Sequence, residues 1–316
     1  MRLSAARNIS MRNFIVCLAL LFVADAPLCA FAADEPYVRT EDVIYRRKHG
    51  AALTMDVFAP AEHPNGAAVV LVISGAWRSS HENIQPRFAA EYVKRGYTVF
   101  AVVHGSSPRF SLPEIVEDMH RAVRFVRSRA EFYRIDPQRI GITGASAGGH
   151  LSLMMGTAGT AGDPKAKDPV DRLSSRVQAV ACFFPPTDFL NYGEPGKSLL
   201  GTDAAKGVRA PFDFQELDET VRAFVTITDQ ERRLEIGRQV SPAYHVSSDD
   251  PPTLIIHGDA DMLVPLQQSQ LIIEKFKAAN VACELVVKPG KAHGWPEIGQ
   301  DFSALADWFD KYLAKK

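Results

Sequence analysis

The stretch RIGITGASAGGHLSLMM, residues 139–155, runs from a short apolar, β-branched segment through a knot of glycine and alanine around Ser146 into an apolar helix. No residues are left over for a loop, so the chain must turn sharply at Ser146. In the pattern Gly144-Ala145-Ser146-Ala147-Gly148, side chains two residues either side of the serine would collide with the neighbouring strand and helix. The same turn aims the hydroxyl outward and sets the Ala147 amide at a helix N-terminus, where it can stabilise an oxyanion. As a bare pattern G-x-S-x-G is weak; its position between strand and helix carries the argument.

The surrounding chain repeats that strand-helix rhythm. AAVVLVISGAW (67–77) is a continuous apolar run of the kind buried on both faces of a parallel sheet, and RFAAEYVKRG (87–96) follows with helical spacing and a glycine stop. YTVFAVVHG, RIGITG, VQAVACFF, PTLIIHG and ACELVVKP read as further strands, separated by helical segments, and the alternation predicts a mostly parallel sheet with helices on both faces. DVIYRRKHGAALTMDVFAP, just upstream, reads as an antiparallel hairpin turning at His49-Gly50. The fold class is α/β, with about eight strands.

One excursion breaks the rhythm. Between Phe184 and Thr253 the chain is polar and loop-rich, with helical candidates in FQELDETVRAFV and ITDQERRLEIGRQ, and residues of about 188–240 are expected to form an inserted cap. At the other end, Arg2, Arg7 and Arg12 precede the apolar run from Phe14 to Val23, and Ala30-Phe31-Ala32 supplies small residues at a cleavage position. Residues 1–32 are read as a secretory signal, leaving a catalytic domain over 33–316 and a secreted or periplasmic protein. The apolar run is too short for the ~30 Å hydrocarbon core, so no membrane anchor is expected after cleavage.

With 316 residues, 46% of them hydrophobic, the chain can bury a large core. The formal net charge of −1 is spread without basic stripes, which points away from nucleic acid and anionic membrane as partners. Two cysteines, Cys182 and Cys283, remain beyond the signal. If a third strand separates theirs they lie near ~10 Å apart, beyond disulfide reach, and are expected to be buried thiols.

A serine hydroxyl is a poor nucleophile until a base takes its proton and a carboxylate holds that base. In this strand-turn-helix context the chain order is serine, acid, histidine. The loop HGDADMLVP, at the carboxyl end of a strand, offers Asp259 and Asp261; of the histidines after Ser146, only His293, in KAHGWP, follows it. His257-Gly-Asp259-x-Asp261 has metal-like spacing, but nothing completes a site, so neither metal nor cofactor is implied.

GASAGGHLSL, DPQRIGITG, SPAYHVSSDDPPTLIIHGDADMLVPLQQS and KAHGW together resemble the α/β-hydrolase fold family, in its esterase/lipase branch near the carbohydrate-esterase-like and prolyl-oligopeptidase-like serine hydrolases; the similarity runs from about residue 40 onward. The resemblance implies Ser146 as nucleophile, Asp261, four residues before Pro265, as acid, and His293 as base. The family's oxyanion loop H-G-G-G-W is Ile73-Ser74-Gly75-Ala76-Trp77 in this sequence. Its donors are backbone amides, so Gly75 and Ala76 stand as candidates beside Ala147, although the bracing of the loop must differ. Trp77, His104 and Trp295 are expected pocket residues.

The expected activity is hydrolysis of carboxylic esters through a Ser-His-Asp triad and an acyl-enzyme, on a small-molecule or carbohydrate ester such as an acetylated sugar. Two other readings share these residues: a serine peptidase of the prolyl-oligopeptidase type, and a catalytically inactive binding protein that kept the fold.

Overall fold

The runs richest in β-branched residues form the centre of the sheet. β3 (Ala68–Ile73), β6 (Ala179–Phe183) and β9 (Thr253–Gly258) are buried at every position, as strands covered on both faces must be. The computed structural model describes residues 36–200 and 209–315. The segment read as a signal, 1–32, lies outside the described residues, and so do 201–208 of the expected cap.

β1 (Tyr37–Lys48) and β2 (Ala51–Pro60) form the antiparallel hairpin, and His49 and Gly50 turn it at φ of 48° and 78°, the left-handed region tight hairpin turns require. With β4 (Thr98–Val103), β5 (Ile140–Ala145) and β10 (Cys283–Lys288) they complete an eight-stranded sheet of order β1-β2-β4-β3-β5-β6-β9-β10. Pairing is parallel from β4 through β10 and antiparallel where β2 meets its neighbours.

Helices cover both faces. α1 (Pro86–Lys94) and α7 (Ile298–Leu313) pack on one side; α2 (Leu112–Ser128), the short α3 (Ala130–Tyr133), α4 (Ala147–Thr157) and α6 (Gln267–Ala278) lie on the other. α4 is buried almost all round, which explains a segment apolar on every face rather than amphipathic. The order fixes where a site can form. From β3 the chain crosses by α1 toward β4, whereas from β5 it crosses by α4 in the opposite direction, to β6. Open α/β sheets bind ligands at such a switch point, outside the carboxyl ends of the strands.

The excursion after β6 departs from the expectation in one element. ITDQERRLEIGRQ yields α5 (Gln230–Gln239), capped by the Asp229 carboxylate on the Arg232 amide at 2.8 Å. FQELDETVRAFV is not a helix: it forms β7 (Gln215–Asp218) and β8 (Ala223–Thr226), an antiparallel pair. Helix-like spacing of Phe214, Leu217, Val221 and Phe224 is overridden by Asp218, whose side chain accepts from the amides of Thr220 and Val221 and reverses the chain.

Cys182 on β6 and Cys283 on β10 flank β9 and are free thiols, Cys182 buried and Cys283 only half-buried because β10 is an edge strand.

Candidate active site

Ser146 links β5 to α4 with φ 56° and ψ −119°, a conformation that costs a non-glycine residue about 1–3 kcal/mol. Its amide donates to Phe183 O (3.0 Å) and its carbonyl accepts from the His150 amide (2.9 Å), which holds the turn. The small neighbours are explained by close backbone approach. A Cβ on Gly144 would sit 2.6 Å from the Gly148 carbonyl, and one on Gly148 would sit 2.9 Å from Val72 O of β3.

Two loops from distant strands converge on the hydroxyl. His293, in the turn between β10 and α7, accepts from Ser146 Oγ at Nε2 (2.9 Å) and donates from Nδ1 to Asp261 Oδ2 (2.7 Å). Its ring packs against Phe184 with centroids 4.4 Å apart. Asp261 follows β9 and is buried; its Oδ1 accepts from the amides of Leu263 and Val264 at 2.8 and 2.9 Å. Burial alone would raise its pKa, but hydrogen bonds from His257, His293 and the Val264 amide outweigh it and hold the carboxyl well below the usual range. Asp259, the competing acid, is exposed and accepts from the Gly290 amide (2.6 Å), bracing the loop without touching the imidazole.

His257 is a partner that sequence reasoning set aside as a weak metal ligand. Its Nε2 donates to Val264 O (2.9 Å) and lies 3.2 Å from Asp261 Oδ2, while Nδ1 accepts from Ser269 Oγ (2.7 Å). The i, i+4 spacing to Asp261 was the available signal.

Four expectations, two of them in the loop after β3, are corrected. The Gly75 amide donates to Arg78 O at 3.0 Å, closing a tight turn, so it is spent. The amides of Ala76 and Ala147 have no partner among the described residues, and Ser74 O lies beside Gly148 at the start of α4. Trp77 is buried in the scaffold: it is 4% exposed, packs on Phe189 and Phe212, and donates from Nε1 to His150 Nδ1 (3.1 Å). His104 is buried beneath the loop, donating from Nδ1 to Gly105 O (2.7 Å) and accepting at Nε2 from Ser74 Oγ (2.8 Å). Trp295 is buried behind His293 against Phe183 and Phe184, its Nε1 bonded to Asp301. Each of the three has a polar ring atom that must find a partner when buried, and each finds it inside the scaffold.

Loop bracing thus replaces the missing histidine and glycine of the H-G-G-G-W pattern. Ala76 and Trp77 both sit at positive φ, 49° and 56°. Ser79 Oγ on Ile73 O, the Gly75–Arg78 pair, Ser107 N on Trp77 O and the two histidines hold them there. Burial pushes both His104 and His150 down to about 4, so each ring is neutral near pH 7 with one nitrogen free to accept. The α4 N-terminus, two unpaired amides and a hydroxyl-imidazole-carboxylate relay form an arrangement suited to acyl transfer. A cavity of about 920 Å³ lies elsewhere, over α2 and β1, where Arg121 is paired with Asp168 and Asp171.

Comparison with known proteins agrees with the fold and adds a family. The BD-FAE family matches residues 55–276. The chain is 28% identical to the "Probable carboxylic ester hydrolase LipM" of Mycobacterium tuberculosis, over 80% of this chain and 55% of that protein. It is 26% identical to "Esterase LipC" of the same organism, over 85% of this chain and 63% of the relative. The chain therefore spans a little over half the length of these curated relatives. Among solved structures, a "Truncated form of carbohydrate esterase from gut microbiota" superposes with a TM-score of 0.70 at 27% identity, covering 90% of this chain and 99% of that one. The architecture is the α/β-hydrolase fold.

Proposed function

The chain belongs to the BD-FAE family, and we propose that it is a secreted serine carboxylesterase whose nucleophile is Ser146. The observation that carries the reading is the relay Ser146–His293–Asp261, at 2.9 and 2.7 Å, mounted on a strained strand-helix turn. His293 Nε2 takes the Ser146 proton as Oγ attacks the acyl carbon. Asp261 stabilises the imidazolium that forms and fixes the tautomer with Nε2 free. Negative charge on the carbonyl oxygen falls to the amides of Ala76 and Ala147. His293 then returns the proton to the leaving alkoxide, and the acyl-enzyme is hydrolysed by a water that the same imidazole activates.

The names of the relatives, carboxylic ester hydrolase, esterase and carbohydrate esterase, support esters over amides and make sugar-borne acetyl esters a substrate class to test. Export rests on residues 1–32; a mature chain beginning at Ala33, read by N-terminal sequencing of exported protein, is the expected product. The enzymatic test is a panel of acetyl, feruloyl and longer acyl esters beside proline-containing amides, run with the parent protein and with Ser146→Ala. Ester turnover lost in the variant supports the proposal; amide turnover without ester turnover, or full activity in Ser146→Ala, removes it.

A further inference from the structure

We infer that a crevice beside Ser146 is a hydrocarbon-binding subsite that accepts one substituent of the ester; the inference rests on Ser146 being the nucleophile. A cavity of about 630 Å³ is lined by Gly75, after β3, and by Ala145, the residue before Ser146. It descends the α1/α7 face of the sheet over Ile73 and Phe183, with Phe88 of α1 and Phe302 of α7 in its wall. Its position follows from topology. The crossovers from β3 and β5 leave in opposite directions and on opposite faces, which opens a crevice between the carboxyl ends of these two neighbouring strands.

The lining is mostly hydrocarbon. The rings of Phe88 and Phe302 stack with centroids 5.9 Å apart, and both stay half-buried, so each presents apolar surface that packing has not consumed. The cavity lining runs from Leu71 on β3 to Gly75 beyond its end, at most about 13 Å at ~3.3 Å per residue, which is long enough for a hexanoyl or octanoyl chain. Its floor of β3, β5 and β6 residues carries no charged side chain; the polar groups of the lining are Thr143 on the floor, Ser74 just after β3, and Asn83, Gln85 and Arg87 in and just before the start of α1. An ester held at Ser146 has two substituents, acyl and alkoxy. Either one, directed between Gly75 and Ala145, enters the crevice.

The test has two arms. In the first, kcat/KM is measured for 4-nitrophenyl acetate, butanoate, hexanoate and octanoate; in the second, for acetates of ethanol, butanol and hexanol, followed by acid release. In one arm kcat/KM is expected to rise with chain length, by up to about fourfold per methylene, as burial of apolar area requires. That arm identifies which substituent occupies the crevice. Phe88→Gln, which puts a polar chain at a half-exposed helical position, is expected to lower the long-to-short ratio in that arm at least fivefold. A fall from acetate onward in both arms of the parent enzyme would overturn the subsite without any variant, and so would an unchanged ratio in Phe88→Gln. Turnover of acetate with no gain from longer chains removes the subsite alone, whereas turnover of no ester removes the esterase reading beneath it.

Discussion

Replacing His104 tests whether the loop after β3 is part of the catalytic apparatus. Ala76 and Trp77 each adopt a left-handed backbone that costs about 1–2 kcal/mol, so the loop holds roughly 2–4 kcal/mol of strain. Six hydrogen bonds oppose it, each worth about 1 kcal/mol net. The margin is a few kcal/mol, and His104→Ala removes the bond to the Ser74 hydroxyl, next to the turn. Complete loss of an oxyanion donor lowers kcat by about 10²–10³, and a loop displaced part of the time should lose less, about fivefold to twentyfold. The assay is kcat and KM on 4-nitrophenyl acetate together with thermal unfolding. The fall is expected in kcat with KM little changed. Two conservative variants separate positioning from packing. Gln can place an acceptor where Nε2 met Ser74, and Asn can place a donor only where Nδ1 met Gly105, so His104→Gln is expected to recover more kcat than His104→Asn. Equal recovery by both, or a loss confined to Tm, would refute the bracing argument.

Further outcomes follow from the same geometry. Asp261→Asn leaves the site sterically intact but gives His293 the wrong tautomer, so kcat is expected to fall by about 10³–10⁴, measured in single turnover. Gly148→Ala would push a methyl to 2.9 Å from Val72 O, and the strain, about 1–3 kcal/mol, should appear as a lower Tm and lower kcat together. His104 and His150 are held down to about 4 by burial, against about 6.5 in the unfolded chain. Between those values the unfolded chain binds more protons, so the stability is fully present above pH 6.5 and lost as pH falls toward 4. Each imidazole should cost about 2 kcal/mol by pH 5. Urea unfolding at pH 7 and pH 5 measures the loss, and His150→Gln, which cannot titrate, should reduce it by about 2 kcal/mol.

Much of this was legible in the sequence because the signals were local. Continuous β-branched runs gave the buried strands, His49-Gly50 the hairpin, and the glycines around Ser146 a turn whose tightness the backbone contacts of Gly144 and Gly148 explain. Chain order and loops at strand ends gave Ser146 and His293 and left Asp259 and Asp261 both open; the family resemblance decided for Asp261. What was not legible depended on pairs distant in sequence or on which way a ring turned. Spacing in FQELDETVRAFV fits a helix, and one carboxylate accepting two amides makes a hairpin instead. Trp77, His104 and Trp295 lie near the strand ends as expected, but their polar atoms are satisfied by His150, Ser74 and Asp301, so they brace the site from below. Gly75 matched a donor position by alignment of the loop, and its amide was taken by Arg78, which no pattern revealed.

The most direct measurement of the central claim is covalent capture by an alkyl fluorophosphonate, read by intact mass and peptide mapping. The relay predicts a single adduct on Ser146 that forms at least a thousandfold more slowly in His293→Ala. An adduct on another serine, no adduct at all, or labelling of His293→Ala at the parent rate would contradict it.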